Sequence, residues 1–167
     1  MTKPPSRRPL PRRDDSRRKR WLATDLSPKE VADRFRDIRY ICYGKHKANP
    51  HLYGADPYRG QDSDRTLCDD HAGFGKDDLA RIPALLARAA VARLIGNLIW
   101  TVDDTGWIYQ LEVTNRIRNE WHGYPLLPSD AFARQVWERF SRWADESGSP
   151  NDQEAAKSSA LLYGLRP

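Results

Sequence analysis

No stretch of this chain approaches the roughly 20 consecutive apolar residues that a membrane-spanning helix needs, so no membrane partner is expected. Nor does an apolar segment follow the charged residues at the start, as it would in a signal peptide, which points to a cytoplasmic location. Cysteine is scarce, with only Cys42 and Cys68 present. Without a secretion signal, two cysteines suggest thiols or a metal site rather than a disulfide framework. Apolar residues make up 39% of the 167 positions and charged residues 31%. The chain is therefore long enough for one domain, but its core must be modest. Internal repeats, a P-loop and a dinucleotide-binding fingerprint are all missing, so neither phosphate cradle is on offer.

What is abundant is positive charge, and it is concentrated at one end. Residues 1 to 20 carry Lys3, Arg7, Arg8, Arg12, Arg13, Arg17, Arg18, Lys19 and Arg20 against Asp14 and Asp15, a net +7 in a chain whose total is +5. A Pro- and Arg-rich segment with almost no apolar residues cannot offset its ordering entropy, so residues 1–20 are expected to form a disordered basic arm. Such an arm would contact an RNA or DNA backbone through counterion release, with little sequence preference.

After the arm, residues 21–146 read as a single α+β domain and 147–167 as a flexible C-terminal tail. Ser27-Pro28-Lys29-Glu30 is a capping box, and Val31, Phe35, Ile38 and Ile41 continue an apolar stripe that predicts a helix ending near Cys42. Asp77-Asp78 opens a second helical segment that Pro83 divides into a short first turn and a longer helix, closing near Gly96. Ser129 is expected to cap a last helix on which Phe132, Val136, Phe140 and Trp143 face the core.

From residue 44 to 75 there is no sustained periodicity, only turn formers. A loop of this length in a compact domain signals function, disorder or an organising ligand. Cys42-x-x-x-His46 and Cys68-x-x-His71 bracket it, and these four side chains could form a tetrahedral structural zinc site pinning the loop's ends. No other cofactor is expected.

The strongest signal lies between Asn97 and Tyr124. Leu98–Val102 and Trp107–Val113 are rich in β-branched and aromatic residues and flank Asp103-Asp104-Thr105-Gly106, a hairpin turn. With Val102 opposite Trp107, Trp100 meets Tyr109 and Leu98 meets Leu111 on a core face, while Thr101, Gln110 and Glu112 fall on a wetter face. The expected fold is α+β: a small antiparallel sheet built on the 97–114 hairpin and covered on one face by about three helices.

Beyond Asn115 the alternation places Arg116, Arg118, Glu120 and His122 on one parity, hence on one face of an extended segment. Cleavage of RNA without a metal asks for such a set, with Glu120 as base, His122 as acid and the two arginines on the phosphate. Tyr124 follows as a residue for nucleic-acid contact. A helix-covered antiparallel sheet bearing Glu, His and Arg on its open face is similar in outline, over residues 97–144 at most, to small bacterial ribonucleases and ribonuclease toxins of the barnase and RelE kind. That outline implies RNA as substrate and a protein partner of the antitoxin or immunity type. The alternative is a non-catalytic accessory module whose basic arm contacts nucleic acid while Trp121, Tyr124 and the last helix contact a protein.

Overall fold

The computed structural model describes residues 19–60 and 65–166. Most of the basic arm, through Arg18, lies outside the described residues. The remainder is an α+β fold of four helices and one four-stranded sheet: α1 (Pro28–Phe35), β1 (Arg39–Tyr40), α2 (Ile82–Val91), β2 (Ile99–Val102), β3 (Ile108–Asn115), β4 (Glu120–Pro125), α3 (Phe132–Ser147) and α4 (Pro150–Tyr163). Among the described residues, no helix is long and apolar enough to cross a membrane.

The sheet order is β1-β4-β3-β2. β2, β3 and β4 are antiparallel neighbours, but β1 joins β4 in parallel, Arg39 beside Glu120 and Tyr40 beside Trp121, so the sheet is mixed rather than purely antiparallel. β1 exists because the first helix stops earlier than its apolar stripe suggests. Asp37 takes φ 56, which turns the chain, and Ile38 then packs from outside a helix. The capping box is as expected, with Ser27 and Glu30 each satisfying the other's backbone N–H. Pro83 likewise divides a 3-10 stretch, Lys76–Arg81, from α2.

The hairpin forms with a register one residue away from the expected one. Val102 faces Ile108, Trp100 faces Gln110 and Ile99 faces Leu111. The cause is Asp103, whose fully buried carboxylate accepts from Thr105 N–H, Trp107 N–H, the Thr105 hydroxyl and Tyr109 Oη, drawing five residues into the turn. Gly106 completes it at φ 93, close against the α4 backbone at Ser158. A one-residue slip sends every side chain to the other face.

Consequently helices cover both faces of the sheet rather than one. Trp100, Val102 and Ile108 pack under α3 and α4 against Phe132, Val136, Phe140, Ala155 and Tyr163. Ile99, Leu111 and Trp121 pack on the opposite side with Ala89, Leu86, Val31 and Phe35 of α2 and α1. The segment expected to be a flexible tail supplies α4. Ser149 and Asp152 close a second capping box, and the buried Tyr163 hydroxyl accepts from Ile108 N–H and reaches the Leu126 carbonyl. This helix forms because Ala155 and Ala156 are small enough to lie against α3, and Trp137 Nε1 donates to the Ala156 carbonyl.

Candidate active site on the β3–β4 face

Alternation along β3 places Gln110, Glu112 and Thr114 on the face opposite Leu111, and pairing with β4 brings His122 across from Glu112 and Tyr124 across from Gln110. Near the helices this face is apolar; toward the β3–β4 turn it becomes polar. Gln110, only 2% exposed, sits at the boundary. Its amide oxygen accepts from Trp100 Nε1 at 3.0 Å and Arg20 Nη1 at 3.2 Å. That orientation aims its amide nitrogen at Glu112 Oε1, 3.1 Å away, and at Tyr124 Oη, 2.5 Å away. Tyr124 Oη in turn donates to Glu112 Oε1 at 2.6 Å. Glu112 is thus held by two donors that are themselves fixed from the core.

His122 is 7% exposed, and its Nδ1 lies 2.7 Å from Thr114 Oγ1. Three rings surround it. Tyr43 meets it edge-on at 4.8 Å, His46 stacks on it at 5.4 Å and 16°, and Tyr124 lies at 6.3 Å. His46 is itself stacked on Tyr124 at 4.4 Å. The 3-10 turn Gly44–His46 delivers this ring, and His46 Nδ1–H donates to the Thr66 carbonyl at 3.0 Å. Burial pushes the His46 pKa from 6.5 down to about 3, with His122 and Lys45 adding to the effect and the Thr66 bond opposing it. His46 therefore stays neutral near pH 7, a spacer that adds no charge beside His122.

The arginines expected on this face are elsewhere. Asn119 at φ 50 closes a turn over residues 116–119, with Asn115 Oδ1 capping Ile117 and Arg118 N–H. Arg116 and Arg118 stand exposed on that turn around Ile117, itself 98% exposed. The extended run through residues 116–122 is thus broken, because a left-handed residue cannot continue a strand. Glu120 and His122 keep the same parity on β4, but Glu120 is drawn to Arg39 of the neighbouring strand at 4.0 Å. The carboxylate beside His122 is Glu112, which the hairpin alone could not identify because its partner lies on another strand.

Arg20 is not a mobile arm residue. Its guanidinium grips Asp130 through two bonds of 2.7 and 2.8 Å with both side chains about 95% buried, and it stacks on Phe132 at 4.9 Å. Asp130 also caps Phe132 N–H at the start of α3, the role expected of Ser129. Lys19 is exposed, its carbonyl bonded by Asn97. The chain leading from the arm is therefore anchored beside Gln110, at the edge of this site.

The four side chains considered for zinc are pulled in different directions. His46 faces His122, whereas Cys68 packs across the sheet with Phe74 and Tyr109, its thiol donating to the Gly123 carbonyl at 3.1 Å. Burial raises the Cys68 pKa to about 11 and also raises that of Cys42. His71 Nδ1 accepts from Leu67 N–H. Among the described residues no group of three His, Cys, Asp or Glu side chains is placed to hold a metal ion. Protein hydrogen bonds tie the loop's ends: Cys68 N–H donates to the His46 carbonyl, and the Asp69 carboxylate accepts from Ala48 and Asn49 N–H. Compared with known proteins, the chain matches no family model, no curated protein and no solved structure.

Proposed function

We propose that this protein acts on RNA as a metal-independent endoribonuclease, with Glu112 as general base and His122 as general acid. The observation that carries this is their placement directly across the β3–β4 ladder, on one face, with Glu112 clamped by Tyr124 and Gln110. In the reaction, Glu112 accepts the 2′-hydroxyl proton as that oxygen attacks the adjacent phosphorus. His122 delivers a proton from Nε2 to the departing 5′-oxygen, leaving a 2′,3′-cyclic phosphate and a 5′-hydroxyl. The bond to Thr114 orients the ring for this role. Arg116 lies four residues beyond Glu112, at most about 13 Å along the chain at about 3.3 Å per residue, and with Arg118 on the adjoining turn it is placed to meet flanking phosphates. The arm, joined to the site's edge through Arg20, supplies further backbone contact.

The test is incubation of purified protein with labelled RNA in excess chelator. Glu112→Gln and His122→Ala are each expected to slow cleavage by on the order of 10² or more, with a cyclic phosphate at the product end. Glu120→Gln is expected to retain activity. Cleavage that survives Glu112→Gln, or that Glu120→Gln abolishes, refutes the assignment.

A non-catalytic binding module is the second reading, favoured by the exposed Arg116-Ile117-Arg118 turn, a shape suited to a nucleic-acid strand or a partner protein. RNA bound but left uncut would select it.

A further inference from the structure

A second concave feature lies away from the β3–β4 face. It is a groove of about 370 Å³ bounded by Ala23, Leu26, Arg93 and by Arg139, Arg142 and Trp143 of α3, within the roughly 300–1,000 Å³ of small-ligand sites. The three α3 residues, with Glu146, recur at helical spacing and so share one stripe. Arg139 is fixed in the wall, its Nη1 donating to the Ala23 carbonyl at 2.6 Å and the Arg93 carbonyl at 3.0 Å. Arg93 reaches across the groove's other end to the Leu26 carbonyl.

Among the described residues neither Arg139 nor Arg142 forms an ion pair with a carboxylate, and burial followed by the neighbouring Arg142 lowers the pKa of Arg139. Two adjacent guanidiniums, one partly desolvated, favour an anion shared between them. Trp143, half-buried and tilted on Phe140 at 5.7 Å, supplies an indole at the same place. Asp25 and Glu146 also border the groove, outside ion-pair distance of its arginines, and suit the amino edge of a base.

We infer that this groove binds a nucleotide unit, its phosphate shared by Arg139 and Arg142 and its base stacked on Trp143. The source is either a free nucleotide or one residue of a bound RNA strand. From Arg20 the chain runs through Trp21 and Leu22, which bridges Gly96, to Ala23. At about 3.3 Å per residue the groove begins roughly 10 Å from Arg20, within reach of a strand lying on the β3–β4 face. The inference does not depend on whether that face cleaves RNA, since its readout is binding.

The experiment titrates AMP and a short single-stranded RNA into the full chain carrying Glu112→Gln, following the Trp143 indole N–H by NMR. Saturable AMP binding that Arg142→Ala weakens about 10-fold or more, by loss of a charge-assisted bond, supports the site. Trp143→Phe, which lacks that indole and is followed by calorimetry instead, should retain binding more weakly, and Arg134→Ala, on the same helix but outside the groove, should leave it unchanged. Equal losses for AMP and the oligonucleotide identify a strand-held nucleotide; a loss for AMP alone identifies a free one. Absence of saturable AMP binding, or binding unaffected by Arg142→Ala, overturns the inference.

Discussion

Replacing His46 by Phe should make the protein markedly less sensitive to acid. His46 is buried, stacked between Tyr124 and His122, and donates through Nδ1–H to Thr66. Its pKa falls from 6.5 in the unfolded chain to about 3 in the fold, chiefly by burial. A histidine with a depressed folded pKa is protonated first in the unfolded state. Its contribution to stability is therefore intact above pH 6.5 and lost as pH falls toward 3. At 1.36 kcal/mol per unit, moving from pH 7 to pH 5 should cost about 2 kcal/mol through this residue alone. Phe keeps the stacked ring and removes the titration. Urea unfolding of both proteins at pH 7 and pH 5 should show the variant less stable at pH 7, having lost the Thr66 bond, but with its pH-dependent loss smaller by about 2 kcal/mol. Equal pH-dependent losses in the two proteins would refute the neutral, buried role of His46.

Three further outcomes follow from particular contacts. Gly106→Ala places a side chain at φ 93 and against the Ser158 backbone, and should cost about 1–3 kcal/mol or more by chemical denaturation; a neutral result would mean α4 does not seat there. Asp130→Asn leaves the Arg20 guanidinium buried without its counter-charge and should cost roughly 3–5 kcal/mol, so an unchanged midpoint would show the pair to be solvated. Deleting residues 1–18, which retains Arg20, should leave thermal stability nearly unchanged while weakening RNA binding and flattening its salt dependence; an unchanged slope would show that the arm does not meet the phosphates.

Much of this protein was legible locally. Ser27 and Glu30 form their capping box within four residues, Pro83 divides its helix by its own ring, and Asp103-Asp104-Thr105-Gly106 carries within itself the side-chain acceptor and the glycine its turn uses. The same local grammar stands at Ser149-Pro150-Asn151-Asp152, so α4 was announced by a cap resembling the one at Ser27. Its polar following sequence concealed it, since its stability comes from packing on α3 and from Tyr163 reaching the sheet rather than from an amphipathic stripe of its own. His122 and Tyr124 were legible as residues sharing one face because β4 keeps its alternation through them. What the tertiary structure decided was partnership. The number of residues that Asp103 draws into the turn set the hairpin register, and Asn119 at φ 50 withdrew Arg116 and Arg118. Pairing across β3–β4 put Glu112, not Glu120, opposite His122, and the loop brought His46 to the same face as a neutral stacked ring. Caps and turns form from interactions a few residues apart. Register, burial and charge pairing depend on distant segments meeting, here Arg20 with Asp130 and His46 with Tyr124, and spacing along the chain does not encode them.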